Sequence, residues 1–494
     1  MPEEDIHFPH LTVRQTLEFA FKCKQTNPQL VNKYIDTMAR VFGIDHVLDT
    51  LVGNKHVRGI SGGERKRLSC IETLATDAVV VAWDGSTRGL DAAATVDYAR
   101  SLRILTDVGR KATIVSLYQA SEEVWDMMDK VLLLDEGRVI FQGPINEAKK
   151  YFVDELGYEC SERRTTADFL TSVTNPSERR FRPGWENKVP RGADELEKAF
   201  RNSRHYQILM EEVENAGNLF GDDDSTHDEG GQDSPQNDGG VTALEDFRKG
   251  TLAQKAKYVR AASNYTISFP LQVSICLKRQ WWQLMGNMGG LYIRFATTII
   301  NAFIMGSLFY AQPATSDGAF SRGGFMFYTV IFLGWIQLAE LEEALGGRDI
   351  VGRHKSFAFV RPSAVTLART VLDLPVVFMQ AVAFYSIVYF MGGMKSTVSL
   401  TLIFQFENLC LLTLAQFGAY FTFLLFNYVV TIQLTGLYRM FASFSPTYEV
   451  AIRYCGLTVL IYIVFGGYTL PVQTLISHAP WFGWLSVSLI PFFS

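Results

Sequence analysis

Residues 79–91 read VVVAWDGSTRGLD: five apolar positions, an aspartate, a glycine-bracketed turn and a second aspartate. Val79 to Trp83 have the length and β-branched content of a short buried strand, which ends on Asp84. A carboxylate at the carboxyl end of such a strand is placed to hold a magnesium ion or a reacting water. Gly85 then stands where a catalytic carboxylate is expected, and glycine has no side chain to act as a base. A lone strand-end aspartate is more often a turn or cap residue, so the neighbourhood decides what the stretch means.

Downstream, AAATVDYARSLRILTD (92–107) reads as a helix, KATIVSLY (111–118) as a second strand ending on Tyr118, and SEEVWDMMD (121–129) as a helix. KVLLLDEGRVIFQG (130–143) reads as a strand pair about a Gly-containing turn. Strand and helix alternate, which predicts an α/β layer with a parallel sheet. Upstream, LTVRQTLEFAFKCK (11–24) and VNKYIDTMARVFGI (31–44) carry apolar residues at three- and four-residue spacing and predict two amphipathic helices, a helical subdomain. Between them and the strand lies RGISGGERKRLS (58–69), where Ser61, Gly62, Gly63 and Glu64 open a basic helix. Two readings stand side by side: an S-x-x-E capping box, and a phosphate corner in which glycine backbone N–H groups, the Ser61 hydroxyl and the helix dipole face an anion. The ordered set of Ser61–Glu64, Asp84, Asp91 and Tyr118 favours the second.

The 494 residues carry a formal net charge of −5, with 48% hydrophobic and 20% charged residues. No Lys/Arg-rich block runs along a face, which argues against a nucleic-acid partner. Six cysteines without a CxxC pair argue against zinc or a disulfide framework. Charge is concentrated before about Lys278. The start, MPEEDIHFPHLTVRQTLEFAFKCK, lacks an apolar signal core, which predicts a cytosolic first half inserted through internal spans. Residues 211–262 are acidic and rich in Gly, Ser and Asp, and are expected to form a disordered linker. Residues 263–290, with Lys278, Arg279, Trp281 and Trp282, read as an amphipathic connecting helix at the membrane surface.

Four apolar spans are expected near 291–311, 323–341, 371–392 and 451–470. The loop holding Arg348, Arg353, His354, Lys355, Arg361 and Arg369 is cytosolic by the positive-inside rule, whereas the loop near Arg322 is not. The stretch 398–443 is about twice the length of one span; one crossing suits the charge rule better than two. Glu340, Glu342 and Glu343 beside the second span are expected to serve structural salt bridges, and His7, His10 and His56 to be ordinary.

These motifs resemble the ATP-binding cassette transporters of the G subfamily, of the fungal pleiotropic drug resistance type. SGGERKR (61–67) resembles the family signature, VVVAWD its Walker B strand and STRGLD (86–91) its D-loop. EDIHFPHLTVRQTLEF (4–19) resembles the stretch after the Q-loop, and RPSAVTLARTVLDLPVVFMQAVAFYSIVYFMGGM (361–394) and GGYTLP (466–471) resemble its membrane domain. The resemblance implies that Ser61, Gly62, Gly63 and Glu64 contact ATP held by a partner cassette, that Asp84 holds Mg2+, that Asp91 is the D-loop aspartate and that Glu3 takes the Q-loop position. Gly85 would replace the catalytic glutamate and Tyr118 the switch histidine. No G-x-x-x-x-G-K-[ST] occurs, because Gly-Lys is found nowhere in the chain.

The expectation is a multidomain protein. A P-loop-type α/β nucleotide-binding domain without its Walker A part covers 1–160, a family-specific extension 161–210, and an all-α transmembrane domain of the ABC-2 type 291–494, with about five spans and the sixth missing. Its partners would be the lipid bilayer, a second cassette and membrane domain, and an amphipathic small molecule, in the plasma membrane with a cytosolic amino terminus. It would be an incomplete drug-efflux transporter. The alternatives are a non-hydrolysing fragment that regulates a full-length transporter, or a gene-model product in which 398–416 and 486–494 are translated intron.

Overall fold

The computed structural model describes residues 5–24, 28–87, 89–117, 120–161, 163–185, 188–219, 255–256, 259–260, 262–313, 318–393 and 409–465. Two compact units result, one of residues 1–268 with 357–359 and one of 269–356 with 360–494.

The first unit begins with α1 (Val13–Lys22) and α2 (Pro28–Val41), then α3 (Gly62–Leu74). Thr12 and Gln15 form a capping box at α1, which satisfies two of the orphan N–H groups of its first turn. The quoted stretch supplies β1 (Val80–Trp83), followed by α4 (Ala92–Gly109), β2 (Ala112–Val115) and the short α5 (Glu122–Trp125). β1 and β2 pair in parallel with Trp83 opposite Val115, and α4 is the crossover between them. β3 (Lys130–Asp135) and β4 (Arg138–Pro144) form the expected antiparallel hairpin.

Two expectations need correction. β1 is buried on one face only: Val81 and Trp83 are enclosed, while Val80 is 60% exposed and Ile114 of β2 64%. Leu132 and Leu134 of β3 are exposed in the same alternating way, so these strands carry an apolar face that no described residue covers. Residues on both sides of 160 also pack together. Helices α6 (Ile145–Lys150), α7 (Thr166–Thr174) and α8 (Ala193–Arg201) share one core, in which Phe141, Tyr151, Phe152, Tyr158, Phe169 and Phe200 interlock. At Gly157 the backbone takes φ +82°, and a Cβ there would lie 2.4 Å from the Trp185 ring, so only glycine fits. Finally, α9 (Arg204–Leu219) runs into the segment expected to be a linker, because its Glu- and Ala-containing sequence sustains a helix started on Tyr206 and Leu209. Residues 220–254 lie outside the described residues.

The second unit is helical: α10 (Phe269–Gly286), α11 (Met288–Leu308), α12 (Ala319–Ile336), α13 (Ala339–Gly346), α14 (Arg348–Ser356), α15 (Pro362–Met391), α16 (Leu409–Phe444) and α17 (Tyr448–Phe465). The helix expected within 263–290 runs Phe269–Gly286, with Pro270 in its first turn, where a missing N–H forfeits no intrahelical bond. Four stretches among the described residues are long and apolar enough to cross a membrane: 288–308, 320–356, 362–391 and 420–444. The first three match expectation. The fourth is a single helix inside the ambiguous stretch, and α17 occupies 448–465 without meeting that measure; residues 394–408 and 466–494 lie outside the described residues. Successive spans alternate in direction. Arg294, Glu340, Arg369 and Arg439 meet at one end, and Phe309, Phe325 and Gly392 meet at the other. At that second end Arg322 donates to the carbonyls of Gln312 and Gly393, and Ala311 N–H donates to Met391 O.

Candidate nucleotide corner and membrane domain

Ser61 is the N-cap of α3. Its Oγ accepts the Glu64 N–H at 3.3 Å, and the Glu64 carboxylate accepts the Ser61 N–H at 2.7 Å, a complete capping box. The Arg65 N–H is taken by the Ser61 carbonyl at 3.0 Å. The N–H groups of Gly62 and Gly63 have no partner among the described residues and open the positive end of the helix dipole. Ser61 uses its oxygen as an acceptor here, which leaves its own proton to donate. Glu64 also meets His46 Nε2 at 3.1 Å. Partial burial pushes its carboxyl up, but the hydrogen bonds from Ser61 and His46 outweigh that and hold it below the ordinary value.

α3 is fixed from several directions. His7 bonds Ser69 at 2.7 Å and lies 3.7 Å from Glu72, all three buried, so His7 has a structural place in the core beneath α3. Arg67 donates to the Phe42 carbonyl at 3.2 Å. Leu90, next to Asp91, rests against Gly63, 3.3 Å from where a Cβ would stand, so the turn before α4 touches the α3 corner. Asp91 itself occupies the N-cap position of α4 but makes no side-chain cap bond.

Asp84 is exposed at the end of β1. The parallel register that sets Trp83 against Val115 places the next residues side by side, and Ser116 Oγ donates to Asp84 Oδ1 at 2.8 Å while accepting the Gly85 N–H at 2.8 Å. Gly85 has φ +53°, with nothing within 4 Å of a Cβ. No hydrogen bond or ion pair among the described residues joins Asp84 to the Ser61 corner. Glu3 and Tyr118 lie outside the described residues. Ser116 and His46 escaped the sequence reading because register and loop packing, not spacing, bring them to these places.

In the second unit Glu340 is buried and holds three guanidinium groups: Arg294 at 2.8 Å, Arg439 at 2.9 Å and Arg369 at 3.1 Å. Arg439 also pairs with Asp373, and Arg369 with the exposed Glu343 at 3.0 Å. One carboxylate thus ties α11, α13, α15 and α16, in the structural role expected of this acidic group.

Residues 271–492 match the family described as ABC-2 type transporter. Over 486 residues the chain is 46% identical to the ABC multidrug transporter atrF of Aspergillus fumigatus, which covers 98% of this chain and 29% of that protein. Similarity extends to ABC transporter G family member 21 of Dictyostelium discoideum, 36% identical over 491 residues, 98% of this chain and 31% of that protein. The chain belongs to the ABC transporters of the G type. It spans less than a third of the length of these relatives. Its second unit is the ABC-2 membrane domain of such a transporter, an integral membrane structure whose apolar helices α11, α12, α15 and α16 carry the spans.

Proposed function

We propose that this chain forms part of an ATP-driven exporter of amphipathic compounds, in which its first unit lends the Ser61–Glu64 corner to ATP bound on the Walker A of a second cassette. The observation that carries the reading is the α3 N-terminus: two unpartnered backbone donors at Gly62 and Gly63, a hydroxyl proton at Ser61 and the helix dipole converge on one exposed spot. That donor set suits a phosphate oxygen, and the ionised Glu64 is turned back onto the Ser61 N–H rather than left facing it.

Bound MgATP would supply the hydrolysable phosphoanhydride. The residues of this chain then divide by what their atoms can do. Ser61, Gly62 and Gly63 donate hydrogen bonds and orient the nucleotide. Asp84, steadied by Ser116, has the carboxylate to hold Mg2+ or its water. Gly85 can move no proton, so the reading gives this unit a binding rather than a hydrolytic share. The exposed apolar side chains of the β1–β2 pair (Val80, Ile114) and, separately, of β3 (Leu132, Leu134) support further packing from elsewhere in a larger assembly. By the basic loop near Arg348–Arg369 the first unit is cytosolic, and the plasma membrane is the expected site.

The test is amide exchange of the full chain in lipid nanodiscs with MgATP, alone and with a cassette that carries G-x-x-x-x-G-K-[ST]. Protection of Gly62 and Gly63 only in the presence of that cassette, lost in Ser61→Ala, is the expected result. Protection in the chain alone, or in neither mixture, refutes the shared-site reading.

A further inference from the structure

The turn Asp45–Val47, which follows α2, carries a histidine to the start of α3. His46 Nε2 lies 3.1 Å from Glu64 Oε1, while Glu64 Oε2 takes the Ser61 N–H at 2.7 Å, so both oxygens of one carboxylate are engaged. An ionised carboxylate only accepts, which makes the imidazole the donor and puts its proton on Nε2. The backbone around the turn is held from two sides. Arg67, one turn beyond Glu64 on the same face of α3, donates to the Phe42 carbonyl at 3.2 Å, and the Arg14 N–H of α1 donates to the Leu48 carbonyl at 2.8 Å. Phe42 and Ile44 are buried. The imidazole itself is 62% exposed, and Glu64 is its one hydrogen-bond partner among the described residues. It therefore packs little and acts through that bond.

Gly62 and Gly63 are the first two residues of α3, and their N–H groups have no partner among the described residues. Glu64 follows directly. A carboxylate deprived of the imidazole keeps its charge and gains a free oxygen, and the vacant donors one and two residues back sit at the positive end of the helix dipole. Seated on them, it would fill the acceptor place of a phosphate and repel one by its charge. Bound to His46 and to the Ser61 N–H, it is turned aside and part of its charge is offset.

We propose, on the footing of the shared ATP site above, that His46 is a positioning residue of that site: its Nε2–H holds the Glu64 carboxylate in the capping box and so keeps the Gly62 and Gly63 donors open for the phosphate of ATP on a second cassette. His46 touches no nucleotide in this arrangement and works through Glu64 alone.

The test is residue-resolved amide exchange of the full chain in lipid nanodiscs. Without nucleotide, His46→Ala is expected to speed exchange of the Ser61 N–H and to slow that of Gly62 and Gly63, by about two- to fivefold, the worth of one charge at a helix N-terminus. Local loosening would speed all three, so the opposite signs report the carboxylate and not the fold. His46→Gln, which keeps an N–H at the reach of Nε2, should retain the wild-type pattern, and in Glu64→Gln the further change His46→Ala should add nothing. Three amides that change in one direction, or not at all, overturn the proposal. With MgATP and a cassette carrying G-x-x-x-x-G-K-[ST], His46→Ala should need about two- to fivefold more nucleotide than wild type to protect Gly62 and Gly63. Equal need overturns the proposal and leaves the shared site standing; no protection of the wild type in that mixture refutes the shared site, and with it the nucleotide role given to His46.

Discussion

Glu340→Gln keeps the shape of the side chain and removes its charge. In the structure that carboxylate is 3% exposed and lies 2.8, 2.9 and 3.1 Å from three guanidinium groups on three other helices. The amide can accept from them but cannot balance them, and its new N–H donors point at cations. Arg439 retains Asp373 and Arg369 retains Glu343, but Arg294 is left with the neutral Gln337 alone. Breaking a buried pair from one side costs ~3–5 kcal/mol. At roughly 2–4 °C per kcal/mol for a unit of this size, the melting temperature falls by on the order of 10 °C. The assay is thermal unfolding of the full chain in nanodiscs, followed by the fluorescence of Trp281, Trp282 and Trp335. Glu343→Gln is the control: its partner is the same Arg369, but it is 69% exposed, and loss of such a pair costs about 0–1 kcal/mol. A Glu340→Gln protein that melts with the wild type, or no earlier than Glu343→Gln, refutes the view that one carboxylate binds the four helices.

Gly85→Glu restores a carboxylate but not its setting, because φ +53° costs a side-chain-bearing residue about 1–2 kcal/mol while the space around it is open. Gly85→Asn, better suited to that conformation, should lose less; equal losses by circular dichroism melts would contradict the strain. Gly157→Ala meets both a left-handed backbone and the Trp185 ring and should lose about 2–4 kcal/mol, part of it recovered when Trp185→Ala is added. Glu64 is held below its ordinary value of 4.5, so its contribution is fully present above that pH and lost as pH falls through the lower folded value. Melts of wild type and Glu64→Gln should therefore differ at neutral pH and converge as pH falls through that lowered value; a constant gap would show that the charge is irrelevant.

α1, α2 and α4 could be read from periodicity, α11, α12 and α15 from the length of their apolar runs, and the β3–β4 hairpin from its turn, because these patterns are local; α6 to α9 were not read from the sequence. The half-open sheet could not: VVVAW has the composition of a strand buried on both faces, and whether a second layer covers Val80 depends on what packs there, not on the strand. Ser116 was hidden for a related reason, since its value comes from the parallel register that brings it beside Asp84. Glu340 was visible as an unusual acid, but its three arginines lie far along the chain on separate helices. The overextended linker came from treating Glu-rich sequence as disordered when the residues before it had already nucleated a helix.

Arg322 and Glu340 fasten opposite ends of the same spans with different materials. At one end Arg322 grips two backbone carbonyls, Gln312 O and Gly393 O, whose partners are fixed by the fold. At the other, two carboxylate oxygens are shared by three guanidiniums, and any one of these can let go while the others remain. The two ends therefore answer differently to a lost contact: where one guanidinium leaves, Glu340 keeps the other two, whereas without Arg322 the carbonyls of Gln312 and Gly393 lose the donor they share.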